Sequence, residues 1–195
     1  MRYEVVYERR KSIRGFVKED YILIKAPYFT PQSVIEQFVA KYRDYFTAKL
    51  EPKKLYYLGV PFLLQKTPDT FRFTGEAFVG HNWRQGYEEF LMTKARSYLP
   101  QRVAYLAKRF GVEYTRLRIN RAKSRWGSCS SRGNINLSCR LMALPLHTID
   151  YVIIHELCHR THMNHSRAFW NLVVSRCKAY KDIESELKTL SEYIL

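Results

Sequence analysis

Apolar and polar residues alternate in three short runs at the start of the chain, Tyr3–Tyr7, Ile13–Val17 and Tyr21–Lys25, and such runs predict strands. The turn-like Lys18-Glu19-Asp20 separates the last two, so a β-meander is expected. Thr30-Pro31 then offers an N-cap with proline at the first helical position. Val34, Ile35, Phe38, Val39, Tyr42 and Phe46 follow at helical spacing, which predicts one helix near 31–49. Leu55–Leu58 and Val60–Gln65, broken at Gly59, read as a hairpin, and Phe71–Phe73 with Ala77–Val79 as further strands.

In the second half the period lengthens. Residues 84–110 are mostly helical in pattern, with Pro100 kinking or dividing them and Gly111 closing the end. Glu113–Asn120 predicts a strand, residues 123–133 a polar loop, and Asn134–Leu141 a second strand through Ile135, Leu137 and Cys139. Pro145 opens a helix whose Ile149, Val152, Ile153 and Leu157 face a core. Ser166 caps a last helix carrying Phe169, Leu172, Val173 and Cys177. An α+β fold follows, split into a β-hairpin-rich segment with one helix over 1–80 and a second domain over 81–195.

Composition narrows the class. With 46% hydrophobic residues the 195-residue chain can bury a real core, which excludes a disordered protein. The absence of a long apolar run or an apolar leader leads to the expectation of a cytoplasmic protein with no membrane span. Cys129, Cys139, Cys158 and Cys177 show no CxxC spacing, which argues against a four-thiolate zinc site and for free thiols. The net charge of +15 is concentrated: residues 94–140 hold twelve Lys or Arg against Glu113 alone. That density implies an anionic partner, with DNA or RNA the first candidate.

The chemistry lies in His155-Glu156-Leu157-Cys158-His159, followed by His165. Histidines four apart on a helix share a face, with Cβ atoms about 5–6 Å apart, so both can reach one zinc ion. Glu156, beside the first histidine, stands where it can take a proton from metal-bound water as general base. His162 would share that helical face but lie about 10 Å along the axis from His155, too far to hold the same ion. The third ligand must follow a turn, and His165 is placed for it; Glu184 or Glu186 on a later helix are alternatives. The spacing matches the metzincin pattern, except that its turn glycine is here His162, so Asn164 in left-handed backbone is the expected turn residue. Three histidines leave one position open, the mark of a catalytic zinc, one per chain.

Ser124-Arg125-Trp126-Gly127-Ser128-Cys129, Gly133-Asn134-Ile135-Asn136-Leu137, Leu144-Pro145, the segment Tyr151 to His159, and His165-Ser166-Arg167-Ala168-Phe169-Trp170 closely resemble the YgjP-like zinc metallopeptidases. That family is similar to the SprT-like and WLM proteases, which act around DNA–protein crosslinks. The resemblance implies a zincin-like domain with His155, His159 and His165 on the metal, Glu156 as base, and a protein or peptide substrate. It also implies that Asn134–Leu141 edges the cleft and pairs with an extended peptide. Trp126, Asn136 and Tyr151 then become candidate substrate contacts, and Arg125 and Arg140 candidate oxyanion stabilisers. Arg116, Arg118, Arg121, Lys123, Arg125 and Arg132 form the candidate nucleic-acid surface.

The leading expectation is therefore a zinc-dependent endopeptidase working near nucleic acid. One alternative is a metal-dependent nucleotide pyrophosphatase, a second activity attributed to the family, although the chain has no phosphate-cradling glycine loop. Another is a nucleic-acid-binding module with structural zinc, which would have no need of Glu156.

Overall fold

A computed structural model describes residues 2–18, 21–50 and 54–194. The chain divides into two compact units, 1–53 and 54–195. The division falls after Lys53 rather than at 80/81, because the strands between these points share a core with the helix that follows them.

In the first unit β1 (Tyr3–Glu8), β2 (Arg14–Val17) and β3 (Ile22–Pro27) form a sheet in the order β1-β3-β2, with β1 parallel and β2 antiparallel to β3. The expected meander is therefore corrected. Ile22, Ile24 and Ala26 give β3 a fully buried face, and the most apolar strand takes the centre, where both of its edges are paired. Glu19 and Asp20 of the expected turn lie outside the described residues; beside them the Lys18 N–H donates to the Tyr21 carbonyl. The expected helix is two, α1 (Gln32–Lys41) and α2 (Arg43–Leu50), which meet at Tyr42, where the backbone leaves helical geometry (φ −106°). Pro31 is the cap residue, and the Thr30 hydroxyl donates to the Pro27 carbonyl instead of capping. Ile35, Val39 and Phe46 close this unit's core over β3.

The second unit begins with β4 (Lys54–Tyr57), β5 (Val60–Gln65), β6 (Arg72–Phe73) and β7 (Ala77–Val79), ordered β4-β5-β7-β6. Leu58 and Gly59 both take positive φ at the β4–β5 turn, as a two-residue hairpin loop requires. A Cβ at Gly59 would lie 2.7 Å from the Pro145 ring, so only glycine lets the turn dock there. Phe78 packs against Tyr87 and Phe90 of α3 (Trp83–Phe110), which joins this sheet to the helix. At 28 residues α3 is about 42 Å long and continues as one helix through Pro100, so of the expected kink or division, division does not occur. Its Leu91, Ala95, Leu99, Val103 and Leu106 are buried at helical spacing, and that face holds it together past the proline. Gly111 ends it in left-handed backbone, as expected.

Next come β8 (Arg116–Asn120), β9 (Gly127–Cys129) and β10 (Asn134–Ser138), in the order β8-β10-β9. This order moves the cleft-edge strand: β10 is central, parallel to β8 and antiparallel to β9, and of the two edges it is β9 that lies against Glu156. The strand also stops early. Ser138 accepts a bond from the Arg140 N–H, and residues 139–143 wind into a 3₁₀ turn that buries Cys139, Leu141, Met142 and Ala143. Helices α4 (Leu146–Cys158), α5 (Arg167–Arg176) and α6 (Tyr180–Ile194) complete the unit, so the helix capped by Ser166 is not the last. No described helix is long and apolar enough to cross a membrane.

Candidate active site

Helix α4 carries the motif and is braced on three sides. Its Ile149, Val152, Ile153 and Leu157 are buried in the core. Arg102 of α3 grips Asp150 through two parallel bonds of 2.6 and 2.5 Å, a planar fork suited to holding a helix in register. Glu186 of α6 takes both His147 (2.6 Å) and the Thr148 hydroxyl (3.0 Å) at the start of the helix.

His155 and His159 emerge on one face, as their spacing requires. The His159 Nδ1–H donates to the His162 carbonyl at 3.0 Å, and since a carbonyl only accepts, this bond leaves Nε2 as a free lone pair. His162 therefore contributes its backbone and not its ring. The chain then folds back through bonds from the Arg160, Thr161 and His162 N–H groups to Leu157 and Cys158. The Arg160 guanidinium ties the turn to the carbonyls of Glu113 and Ser131, each at 3.0 Å. Asn164 is not among the residues with positive φ, so the expected left-handed turn is corrected: side-chain anchoring, not a special backbone angle, makes it.

This turn delivers His165, whose Nε2 lies 3.0 Å from that of His155. One donor atom from each of His155, His159 and His165 lies within 4.8 Å of the others, and these three are the metal-capable group found among the described residues. Two nitrogens on one tetrahedral zinc are about 3.3 Å apart, close to the observed His155–His165 separation. The donor chemistry fits as well: burial, then the neighbouring His159 and His165, push His155 down to about 4, so its ring is a neutral donor at pH 7. Phe169, fully buried, stacks on His159 at 4.6 Å, and Trp170 stacks on His165 at 5.7 Å. Helix α5 thus supplies an aromatic platform that orients the rings.

The alternative ligands are engaged elsewhere. Glu186 holds His147 and Thr148, Glu184 pairs with Lys188 at 3.6 Å, and Cys158 lies 3.6 Å from Arg176.

Glu156 is 7% exposed, and burial pushes its carboxyl up to about 7, against the opposing pull of Arg125. Space for it is made by Gly127 on β9: a Cβ there would stand 2.7 Å from Glu156 Oε1 and 2.8 Å from its Cγ. A cleft of about 340 Å³ opens beside His155 and Glu156, walled by Arg125, Trp126, Tyr151, Val152 and four residues of α6. Of the candidate contacts, Arg125, Trp126 and Tyr151 therefore meet at the cleft. Asn136 instead bonds Ser128 on the outer face of the sheet, level with the exposed Arg118, while Asn134 is level with Arg116. Arg121 and Arg140 converge on Glu88, at 3.6 and 3.8 Å, which leaves Arg140 out of the cleft. Lys123 and Arg132 are exposed in loops. The sequence reading gave Gly127 and Arg160 no role of their own and did not place a helical wall beside the cleft, although Ile183, Leu187 and Leu190 carry the spacing of a core-facing helix.

The model of the YgjP-like metallopeptidase domain matches residues 74–190. The chain belongs to the YgjP-like family. The match takes in all three histidines and Glu156, and the protein is a metallopeptidase. Among solved structures, this YgjP-like chain is similar to the metallopeptidase zymogen of Pyrococcus abyssi abylysin, at 25% identity and a TM-score of 0.42, over 46% of this chain and 91% of that one. No curated protein matches the YgjP-like chain.

Proposed function

We propose that the protein is a zinc-dependent endopeptidase in which His155, His159 and His165 hold one zinc ion and Glu156 is the general base. The observation that carries this reading is the placement of Glu156, buried next to the histidine trio with its carboxyl near 7, the range in which a base works best at neutral pH. Bound zinc would supply Lewis-acid chemistry and acidify a water. Glu156 then accepts a proton at a carboxylate oxygen and returns it to the departing amine. A structural zinc site has no use for such a group.

Strand β9 supports a peptide as the substrate. The Ser130 N–H donates to Asn134 and the Ser138 N–H to Trp126, so these positions turn toward β10. Alternation then points the N–H and C=O groups of Gly127 and Cys129 to the open edge, where an extended chain adds as a strand. Gly127→Ala should push the Glu156 carboxyl aside and lower peptide turnover at least tenfold, with zinc content and melting temperature near wild type. Unchanged turnover in that variant would mean that Glu156 has room to spare. The overall reading is tested by incubating the zinc-loaded protein with casein, an unfolded protein and nucleoside triphosphates, with and without chelator. Chelator-sensitive cleavage of polypeptide is expected; triphosphate hydrolysis without proteolysis would transfer the site to the pyrophosphatase reading.

A second element of the reading is a nucleic-acid surface next to the peptidase site. Its support is the pleat: Leu117, Ile119, Ile135 and Leu137 pack inward, so Arg116, Arg118, Asn134 and Asn136 share the outer face. Lys123, Arg125 and Arg132 add charge in the adjoining loops. Binding of DNA or RNA should weaken by about 0.7–0.9 log units per tenfold rise in salt for each phosphate contacted. Arg116→Ala with Arg118→Ala and Lys123→Ala should flatten that slope in gel-shift titrations and leave zinc content intact. No affinity even at low salt would remove this element and leave the peptidase standing.

A further inference from the structure

The cleft beside His155 and Glu156 is lined by chemistry that the hydrolytic reading does not use. Trp126, Val152 and Leu187 give it apolar walls. The Trp126 indole N–H donates to the Ser191 hydroxyl at 3.0 Å, a bond that joins the residue before β9 to α6 and braces the wall. Tyr151 stands one helical turn before His155 and is only 4% exposed. No described residue hydrogen-bonds to its hydroxyl, which keeps contact with solvent, and the residue lines the cleft. Its ring meets His155 edge-on at 6.0 Å, and its phenol hydroxyl can donate a hydrogen bond. An unpaired donor at the wall of an apolar pocket is a contact waiting for a ligand.

The charges choose between ligands. Two cations, Arg125 and Lys188, face two carboxylates, Glu156 and Glu184, around the cleft. Lys188 and Glu184 pair at 3.6 Å, and Arg125 acts on the buried Glu156. That even balance favours neither a cationic nor an anionic side chain. A short acidic side chain would leave the Trp126, Val152 and Leu187 walls uncovered and meet Glu184. The group that satisfies both walls and tip is neutral, with an apolar body and a hydroxyl or amide end.

We propose that this cleft is the side-chain pocket of the peptidase and that Tyr151 is its selecting residue, so that a substrate tyrosine is preferred to phenylalanine at the position it receives. The proposal rests on the peptidase reading for its meaning, but not for its test. A phenylalanine in the pocket leaves the Tyr151 hydroxyl shut off from water without a partner, and sites built to bond a hydroxyl discriminate strongly against the analogue that lacks it.

The test measures binding directly. N-acetyl-tyrosinamide and N-acetyl-phenylalaninamide are titrated by NMR into the full chain, metal-free and zinc-loaded, as wild type and as Tyr151→Phe. The tyrosine probe should bind the wild type on the order of tenfold more tightly, with shifts at Val152 and Leu187. Tyr151→Phe should erase the preference while keeping the fold, since it removes a hydroxyl that no described residue bonds. Equal binding of the two probes to wild type, or a preference that survives in Tyr151→Phe, would overturn the proposal. In a peptide library the same variant should lose discrimination between tyrosine and phenylalanine; a uniform fall across all peptides would assign Tyr151 to the chemistry and also overturn it. Failure of the wild type to cleave any peptide would strike the peptidase reading alone, because the probe titrations still decide the pocket.

Discussion

Glu156→Gln is expected to keep its fold and its zinc and to lose peptide hydrolysis by about 10²–10⁴-fold, the usual contribution of a positioned proton-transfer group. Glutamine is nearly isosteric, so it fits the space left by Gly127, but an amide cannot take up the proton. Burial favours the substitution, because a neutral side chain replaces one whose charged form is disfavoured there. The loss should therefore appear in turnover and not in melting temperature. Steady-state kinetics on a fluorogenic peptide, paired with metal analysis of the same samples, separates the two. Residual activity within a few-fold of wild type, on any substrate, rules out Glu156 as the base.

His165→Ala is expected to be the most damaging change to metal retention. His155 and His159 alone offer two donors from one helical face, and only the turn after α4 brings a third. Zinc affinity should fall by more than the roughly 10–100-fold seen when an outer-shell partner is lost. The turn itself should survive, since Arg160 holds it through two carbonyls and Ser166 caps α5. Metal-free melting curves should accordingly stay close to wild type. Zinc measured after dialysis against a competing chelator gives the readout. Normal retention in this variant, together with loss in Glu184→Ala, would reassign the third ligand.

How much of this was legible beforehand depends on how local each feature is. The motif helix, its core-facing positions and the histidine trio rest on spacings of three, four and ten residues, and a linear pattern carries such spacings directly. The buried face of α3 was readable for the same reason, and it overrode the proline that suggested a break. Strand order was not readable. The family resemblance implied Asn134–Leu141 as the cleft edge, while its alternation shows only that one face is buried and not which strands flank it. The true edge, Gly127–Cys129, is three small residues with no period to detect. Its function lies in what Gly127 lacks, which becomes visible only when Glu156 is placed beside it. The Asn164 expectation failed because a turn can be held from outside: the atoms fixing it belong to Glu113 and Ser131, tens of residues upstream.

The brevity of β9 has a consequence for how the protein meets its own copies. An unpaired sheet edge is an invitation to any extended chain, and long, flat edges lead to strand-by-strand self-association. With three residues, β9 presents too little backbone to hold a partner by main-chain bonds alone. On the proposed reading, a chain that stays must also seat a side chain in the adjoining cleft, so two weak tests replace one strong one. Crowded folded proteins, whose strands are already satisfied, pass neither. Unstructured segments can pass both, so the proposed site would sort polypeptides by their state of folding before any bond is cut.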